Sequence, residues 1–488
     1  MEPALHYQRR IAPMKEKTRF GALGAVLAAA GSAVGLGNIW KFPYMTGENG
    51  GGAFLLIYLV CILLFGIPIL SAEFYAGRRG YGRWRWLEPA ALLSATIFCG
   101  FYFVITGWCF HYLILSITGA TSALSPAALS EVFGGVTGEV VMPCLCIVLA
   151  VLITALITVA GIKSGIERAS KILMPLLFII LIALIIYGLT LPGHREGLRF
   201  LFAPDFSKIT PTLIINALGQ CFFTLSLGMA VMANYASFME PSQNLTRTAV
   251  HVAGLDTIVA ILAGLAIFPA VFSLGIDPTQ GPELVFVTLP SAFNHIAGGY
   301  WLQMLFFLLM VIAAVTTTIS IVQTQTDWLE THTRLSRRWA TFIAALTDLL
   351  LALFCSLSLT NSCADYLTIA GMSIYDAADW LVSKILFPAG GLLFSLYVGW
   401  ICDPADVVKE LSIGGHRTIG KTLLVLIRYV IPVVLILIVI FGFLGWKLDF
   451  WNGILEKLNV LSRISMQDVC IIQILFVPLQ SKSKKQYY

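Results

Sequence analysis

The sequence predicts an all-α polytopic membrane protein of about eleven transmembrane helices, and three observations predict it. Hydrophobic residues fill 58% of the 488 positions and charged residues only 12%, far too apolar a balance for a water-soluble globule. Apolar stretches of about 20 residues recur along the whole chain, each long enough to cross hydrocarbon as a helix. They lie at 21–43, 52–76, 90–117, 141–160, 171–191, 211–238, 251–274, 298–328, 339–358, 379–402 and 422–446. Two of them, the first and the sixth, are interrupted by glycine and polar residues.

The first span carries Gly31-Ser32-Ala33-Val34-Gly35-Leu36-Gly37-Asn38-Ile39-Trp40-Lys41-Phe42-Pro43. Each glycine lowers helix propensity by about 1 kcal/mol relative to alanine, so a break is expected here. Backbone groups freed at membrane depth cost several kcal/mol unless protein or a polar cavity receives them. Freed carbonyls and Asn38 would suit a small cation, and freed amides an anion. The same glycines also suit close helix contact, because membrane interfaces favour small residues. A glycine turn, Glu48 to Phe54, then reverses the chain into the second span.

Glu73 in that span reads two ways: as a carboxylate facing a cavity, or as an interfacial residue near Arg78. The third span holds Phe98, Phe101, Tyr102 and Trp108, of which Tyr102 needs a partner for its hydroxyl. Span six repeats the opening pattern, with Gln220, Thr224, Ser226 and Gly228 inside an apolar run. Two interrupted helices in corresponding positions of two halves point to a transporter site between inverted repeats. Asp256 in span seven has no Lys or Arg within a turn; a nearby cation or a bound proton would each relieve it. The Thr316-Thr317-Thr318 run of span eight can cap its own carbonyls or ligate an ion. Asp376 and Asp379 open span ten, and span eleven holds Arg428, Tyr429 and Pro432.

Charge placement orients the chain. Arg9, Arg10, Lys15, Lys17 and Arg19 precede span one, Arg78, Arg79, Arg83 and Arg85 follow span two, Lys163, Arg168 and Lys171 separate spans four and five, and Arg334, Arg337 and Arg338 follow span eight. These faces, and the N-terminus, are expected in the cytoplasm. Segments 118–140 and 275–297 contain no Lys or Arg; Arg195, Arg199 and Lys208 are a mild exception. The first span follows about twenty polar or mixed residues and is too long for a signal peptide's apolar core, so it is expected to stay. The cysteines show neither metal spacing nor a disulfide framework. His111 and His251 lack partners for a catalytic constellation, which disfavours an enzyme. No selectivity-filter loop suggests a channel.

With Gly31 to Pro43, Glu48 to Phe54, Gly165-Ile166-Glu167-Arg168, Gly219 to Gly228 and the Thr-rich eighth span in one order, the chain resembles a bacterial neurotransmitter:sodium symporter over residues 15 to 446. The resemblance implies a 5+5 inverted-repeat fold with discontinuous helices 1 and 6. It divides the chain into a cytoplasmic segment 1–20, a first repeat 21–191, a second repeat 211–402, an eleventh helix 422–446 and a tail 447–488 with no assigned role. It implies sodium-driven import of an amino acid across a bacterial inner membrane. The implied partners are two sodium ions, the amino acid and the lipid bilayer, with no organic cofactor, no nucleic acid and no oligomeric state specified.

The first sodium site would use Ala33, Asn38, Thr224 and Asp256, and the second Gly31, Val34, Ala313, Thr316 and Thr317. The substrate carboxylate would meet the amides of Leu36 and Gly37 and the hydroxyl of Tyr102, and its amino group carbonyls near Ala33, Phe223 and Thr224. Its side chain would lie among Phe98, Phe223, Ser226, Met229, Thr317 and Ile321. Tyr102 and Phe223, with the ion pair Lys41–Asp379, would gate the outer side; Glu73 and Gln220 would support the broken helices.

Departures from the family pattern refine these expectations. Asp256 stands where many members have Asn, and Ala260 where the leucine transporter has a carboxylate, implying a chloride-independent carrier. Met229 replaces a common Phe and can repack around varied, including aromatic, cargo. Ser32 and Ala33 offer no acid to an amine substrate. At the inner gate Glu16 and Thr331 do not match, leaving Lys15, Lys17 or Arg19 with Glu330 as substitutes. A sodium-dependent amino-acid sensor on the same fold, or a carrier of another small zwitterion, is the alternative.

Overall fold

The apolar periodicity resolves into helices whose order follows the expected spans. The computed structural model describes residues 22–441, apart from positions 276, 280, 282, 296, 297 and 370. The N-terminal segment 1–20, with the inner-gate candidates Lys15, Glu16, Lys17 and Arg19, lies outside the described residues, as do the end of the eleventh span and the tail 447–488. The membrane helices are α1 (Ala22–Ala33), α2 (Gly37–Glu48), α3 (Gly52–Arg79), α4 (Leu87–Thr118), α5 (Val141–Val159) and α6 (Gly165–Gly188). There follow α7 (Pro211–Thr224), α8 (Val231–Ser237), α9 (Leu245–Ser273), α10 (Gly299–His332), α11 (Arg337–Leu357), α12 (Ile374–Ile401) and α13 (Arg417–Phe441).

Among the described residues nine helices are long and apolar enough to cross a membrane, and ten if α1 and α2, bent by 46°, count as one. The expected sixth span, 211–238, does not qualify by length because it is split into helices of 14 and 7 residues. The physical reason lies between them. Ser226, Gly228 and Ala230 hold φ of +53°, +80° and +60°, in the left-handed region that a right-handed helix cannot include. The fold also departs from pure α in one detail, a two-residue antiparallel hairpin pairing β1 (Thr368–Ile369) with β2 (Met372–Ser373) before α12.

Burial separates scaffold from periphery. The apolar stretch of α10 is 89% buried and that of α4 is 78% buried, against 28% for α13, so α4 and α10 form the centre and α13 the rim. Close approach at the centre depends on small residues. On α3, a Cβ at Gly77 would sit 1.8 Å from the Ala233 carbonyl oxygen of α8. That neighbour is backbone and cannot rotate away. Gly77→Ala should therefore lower stability by roughly 1–3 kcal/mol, the usual scale of overpacking. The check is the thermal unfolding midpoint of purified protein, and an unchanged midpoint would contradict the close α3–α8 contact.

Candidate functional site

Both broken segments converge on Asp256 of α9. Asn38, just beyond the break in the first span, donates from Nδ2 to Asp256 Oδ1 at 2.7 Å and to the Asp256 carbonyl at 2.8 Å. The Thr224 hydroxyl, at the end of α7, donates to the same carboxylate at 2.9 Å to Oδ1 and 3.1 Å to Oδ2. Tyr58 of α3 adds a hydroxyl 3.3 Å from Oδ2. Asp256 is fully buried, and none of the ion pairs among the described residues includes it. Its partners are therefore neutral donors, leaving the formal negative charge uncompensated by any protein cation.

Three freed backbone groups of the first break have side-chain receivers. The Gly35 amide donates to Asn38 Oδ1 at 3.0 Å and the Leu36 amide to the Tyr102 hydroxyl at 3.2 Å. Gln220 Nε2 donates to the Gly37 carbonyl at 2.7 Å, tying α7 to the start of α2. In the second break, the Gly228 amide donates to Glu73 Oε1 at 2.6 Å. Glu73 is fully buried, so it is an interior residue and not an interfacial one.

A second group of oxygens gathers where α10 passes the first break. Thr316 Oγ1 donates to the Ala313 carbonyl at 3.0 Å and to the Val34 carbonyl at 3.3 Å. Thr317 Oγ1 lies 3.4 Å from the carbonyls of Ala313 and Ser32, and Ser226 Oγ lies 3.4 Å from the same Ser32 carbonyl. These threonines thus cap their own helix and also reach α1. The longer contacts are weak, which leaves the carbonyls of Val34 and Ser32 with unused acceptor capacity. Gly31 lies one turn earlier on α1 and faces Ser170 of α6, whose Oγ would be 3.4 Å from an added Cβ. A Cβ at Gly35 would sit 2.1 Å from Thr317 Oγ1, so only glycine allows this approach.

Aromatic rings close the space above. Phe98 packs on Tyr102 with centroids 4.7 Å apart and on Phe223 at 5.4 Å, while Tyr102 and Phe223 are 6.5 Å apart. Ala33, Leu36, Met229 and Ile321 are buried as well. Lys41 Nζ lies 3.9 Å from the Phe223 ring centroid and 3.6 Å from Asp379 Oδ1, joining the ring pair to the charge pair. Ser383 bridges them, 3.5 Å from Lys41 Nζ and donating to Asp379 at 2.9 Å.

Tyr58, Ser32 and Ser383 belong to these clusters but were absent from the sequence-derived set. Tyr58 carried a readable signal, a phenol in the middle of an apolar span, the same signal that marked Tyr102. At the C-terminal end of α10 Glu330 pairs with Arg337 at 3.1 Å, and Arg337 also pairs with Asp327 at 3.4 Å. Asp327 accepts from Asn234 of α8 at 2.9 Å. Thr331 is exposed and donates to the Asp327 carbonyl. The acid expected to meet an N-terminal cation is thus engaged by Arg337 within the described residues.

The chain belongs to the sodium:neurotransmitter symporter family, whose model matches residues 17–125 and 129–476. It is therefore an integral membrane transporter of a sodium-dependent family. It is 36% identical over 431 residues to the uncharacterized sodium-dependent transporter YhdH of Bacillus subtilis, covering 85% of this chain and 95% of that one. A second uncharacterized sodium-dependent transporter, from Haemophilus influenzae, is 36% identical over 452 residues, covering 87% and 98%. Among solved structures, MhsT in complex with L-phenylalanine is similar at a TM-score of 0.80 and 39% identity, over 87% of this chain and 99% of that one.

Glu73 provides a test of the site's architecture. Glu73→Ala leaves the Gly228 amide without an acceptor in a buried place and should cost about 1–3 kcal/mol. Glu73→Gln keeps a carbonyl oxygen in position and should lose much less. Paired thermal unfolding curves check this, and equal losses in the two variants would show that the hydrogen bond is not what Glu73 contributes.

Proposed function

We propose that the protein is a sodium-coupled symporter that imports hydrophobic or aromatic L-amino acids by alternating access, without chloride. The observation that carries this reading is Asp256: a fully buried carboxylate with only neutral donors, set where both broken helices meet. A fixed negative charge there supplies what an anion would otherwise bring, and a small cation would compensate it.

In this reading Ala33, Asn38, Thr224 and Asp256 hold one sodium ion, and Gly31, Val34, Ala313, Thr316 and Thr317 a second. Oxygen-rich donors of this kind suit a hard cation. The amides of Leu36 and Gly37, with Tyr102, receive the substrate carboxylate. Phe98, Phe223, Ser226, Met229, Thr317 and Ile321 surround the side chain. The phenylalanine complex of the similar MhsT supports a hydrophobic amino acid as cargo. Segments 21–191 and 211–402 are the inverted pair, each beginning with its broken helix, and the N-terminus is cytoplasmic by the distribution of Lys and Arg. The rings of Tyr102 and Phe223, with Lys41 and Asp379, close the outer side.

Uptake of radiolabelled L-amino acids into proteoliposomes tests the proposal, with an inward sodium gradient against choline and with or without chloride. The expected result is sodium-driven accumulation of hydrophobic amino acids, equal in both anions. Asp256→Ala should weaken sodium-dependent binding by about 2 kcal/mol or more, roughly 30-fold, the cost of removing one partner from a buried charged site. Saturable sodium-dependent binding without accumulation would replace the carrier with a sensor, and loss of uptake in chloride-free medium would overturn the role given to Asp256.

A further inference from the structure

A third fully buried carboxylate besides Asp256 and Glu73, Asp348, lies in the middle of α11 and takes no part in the site above. Gln325 of α10 donates from Nε2 to Asp348 Oδ1 at 2.9 Å and to Thr96 Oγ1 of α4 at 3.1 Å. The remaining oxygens of this pair, Asp348 Oδ2 and Gln325 Oε1, are both buried and both lack a hydrogen-bond partner. Each is an acceptor, so neither can satisfy the other while Asp348 is ionised. Among the described residues no Lys, Arg or His pairs with Asp348.

We propose that Asp348 and Gln325 form a proton-binding site, with the proton held on Asp348 Oδ2 and directed to Gln325 Oε1. One proton removes the buried charge and turns Oδ2 into a donor, and the acceptor that donor needs is the orphaned amide oxygen of the side chain already bonded to Oδ1. Two unsatisfied atoms and one uncompensated charge disappear together. A metal cation fits less well, since the pair offers two free oxygens where a hard cation of this kind takes six or so. The step is a simple association of a carboxylate with one proton from water.

The surroundings keep this equilibrium local. Cys99 of α4 is the titratable group beside the carboxylate, and its thiol is a weak hydrogen-bond donor to Asp348 that brings no charge to compensate it. On α10, Asp327 and Glu330 are paired with Arg337, which begins α11 and lies about 16 Å along the helix from Asp348. On α5 the titratable residues are Cys144 and Cys146. On α12 Asp376 accepts from Ser373, Asp379 is held by Lys41 and Ser383, Lys384 donates to Asn216, and Tyr375 and Tyr397 are phenols.

The site joins α4 and α10, which carry Phe98, Tyr102, Thr316 and Thr317, to α11. Loss of the proton would place an unpaired charge in the seam of that scaffold. Sodium-driven uptake should then fall as pH rises through the titration of Asp348, and the fall should vanish in Asp348→Asn, which mimics the neutral acid.

Infrared difference spectra of the full chain in lipid nanodiscs, wild type minus Asp348→Asn, test the proposal directly. The expected difference is the carbonyl stretch of a protonated carboxyl group, displaced in heavy water, with uptake by the variant at neutral pH within about twofold of wild type. Gln325→Met keeps the carboxyl group and should move the same band, so the test survives if Asp348→Asn does not fold. Carboxylate bands in place of the acid band at neutral pH would overturn the proposal. Carboxylate bands that shift between sodium and choline would overturn it in favour of a cation site.

Discussion

The structure turns on one constraint: a peptide group released from a helix inside hydrocarbon must find another partner. The chain breaks two helices at membrane depth and receives the released groups with side chains from elsewhere. Asn38, Tyr102, Gln220 and Glu73 each hold one amide or carbonyl of a break. The polar side chains at the centre are therefore not additions to a finished fold. Without them the breaks would close or cost several kcal/mol each, and the sites they frame would not exist.

The same economy explains why Asp256 is tolerated. A carboxylate accepting from Asn38, Thr224 and Tyr58 keeps its oxygens satisfied, so its presence depends on the breaks that bring those donors together. The aromatic lid rests on the same elements, since Phe223 immediately precedes Thr224 and Lys41 follows Asn38 by one turn. A displacement of either break is thereby felt at the Asp256 carboxylate, the aromatic rings and the Lys41–Asp379 pair together, through direct contacts.

Much of this was legible in the sequence because membranes impose strong rules. Twenty-residue apolar runs, glycine at Gly31, Gly35 and Gly37, and isolated carboxylates such as Glu73 and Asp256 all stand out against hydrocarbon. The break in the sixth span was legible from Ser226 and Gly228 inside an apolar run, but the left-handed backbone of Ser226 and Ala230 that makes it is a property no hydropathy pattern records. Partnerships across the bundle were less readable. Ser383 looks like any helical serine until the turn of α12 sets it between Lys41 and Asp379, and Arg337 looks like a loop cation until Gln323, Asp327 and Glu330 meet it. Such pairings depend on distances between helices that are far apart in the chain.

The helix α8 has only 7 residues, shorter than a helix that can persist alone in water. Its order is imposed by neighbours: the flat strip that Gly77 presents on α3, the Asp327 carboxylate that holds Asn234, and the Ser320 hydroxyl that receives Tyr235. A part that owes its shape to what surrounds it behaves as an insert seated in a socket. Its position is then set by the walls, and rearranging those walls reseats it without first unravelling a self-sufficient helix.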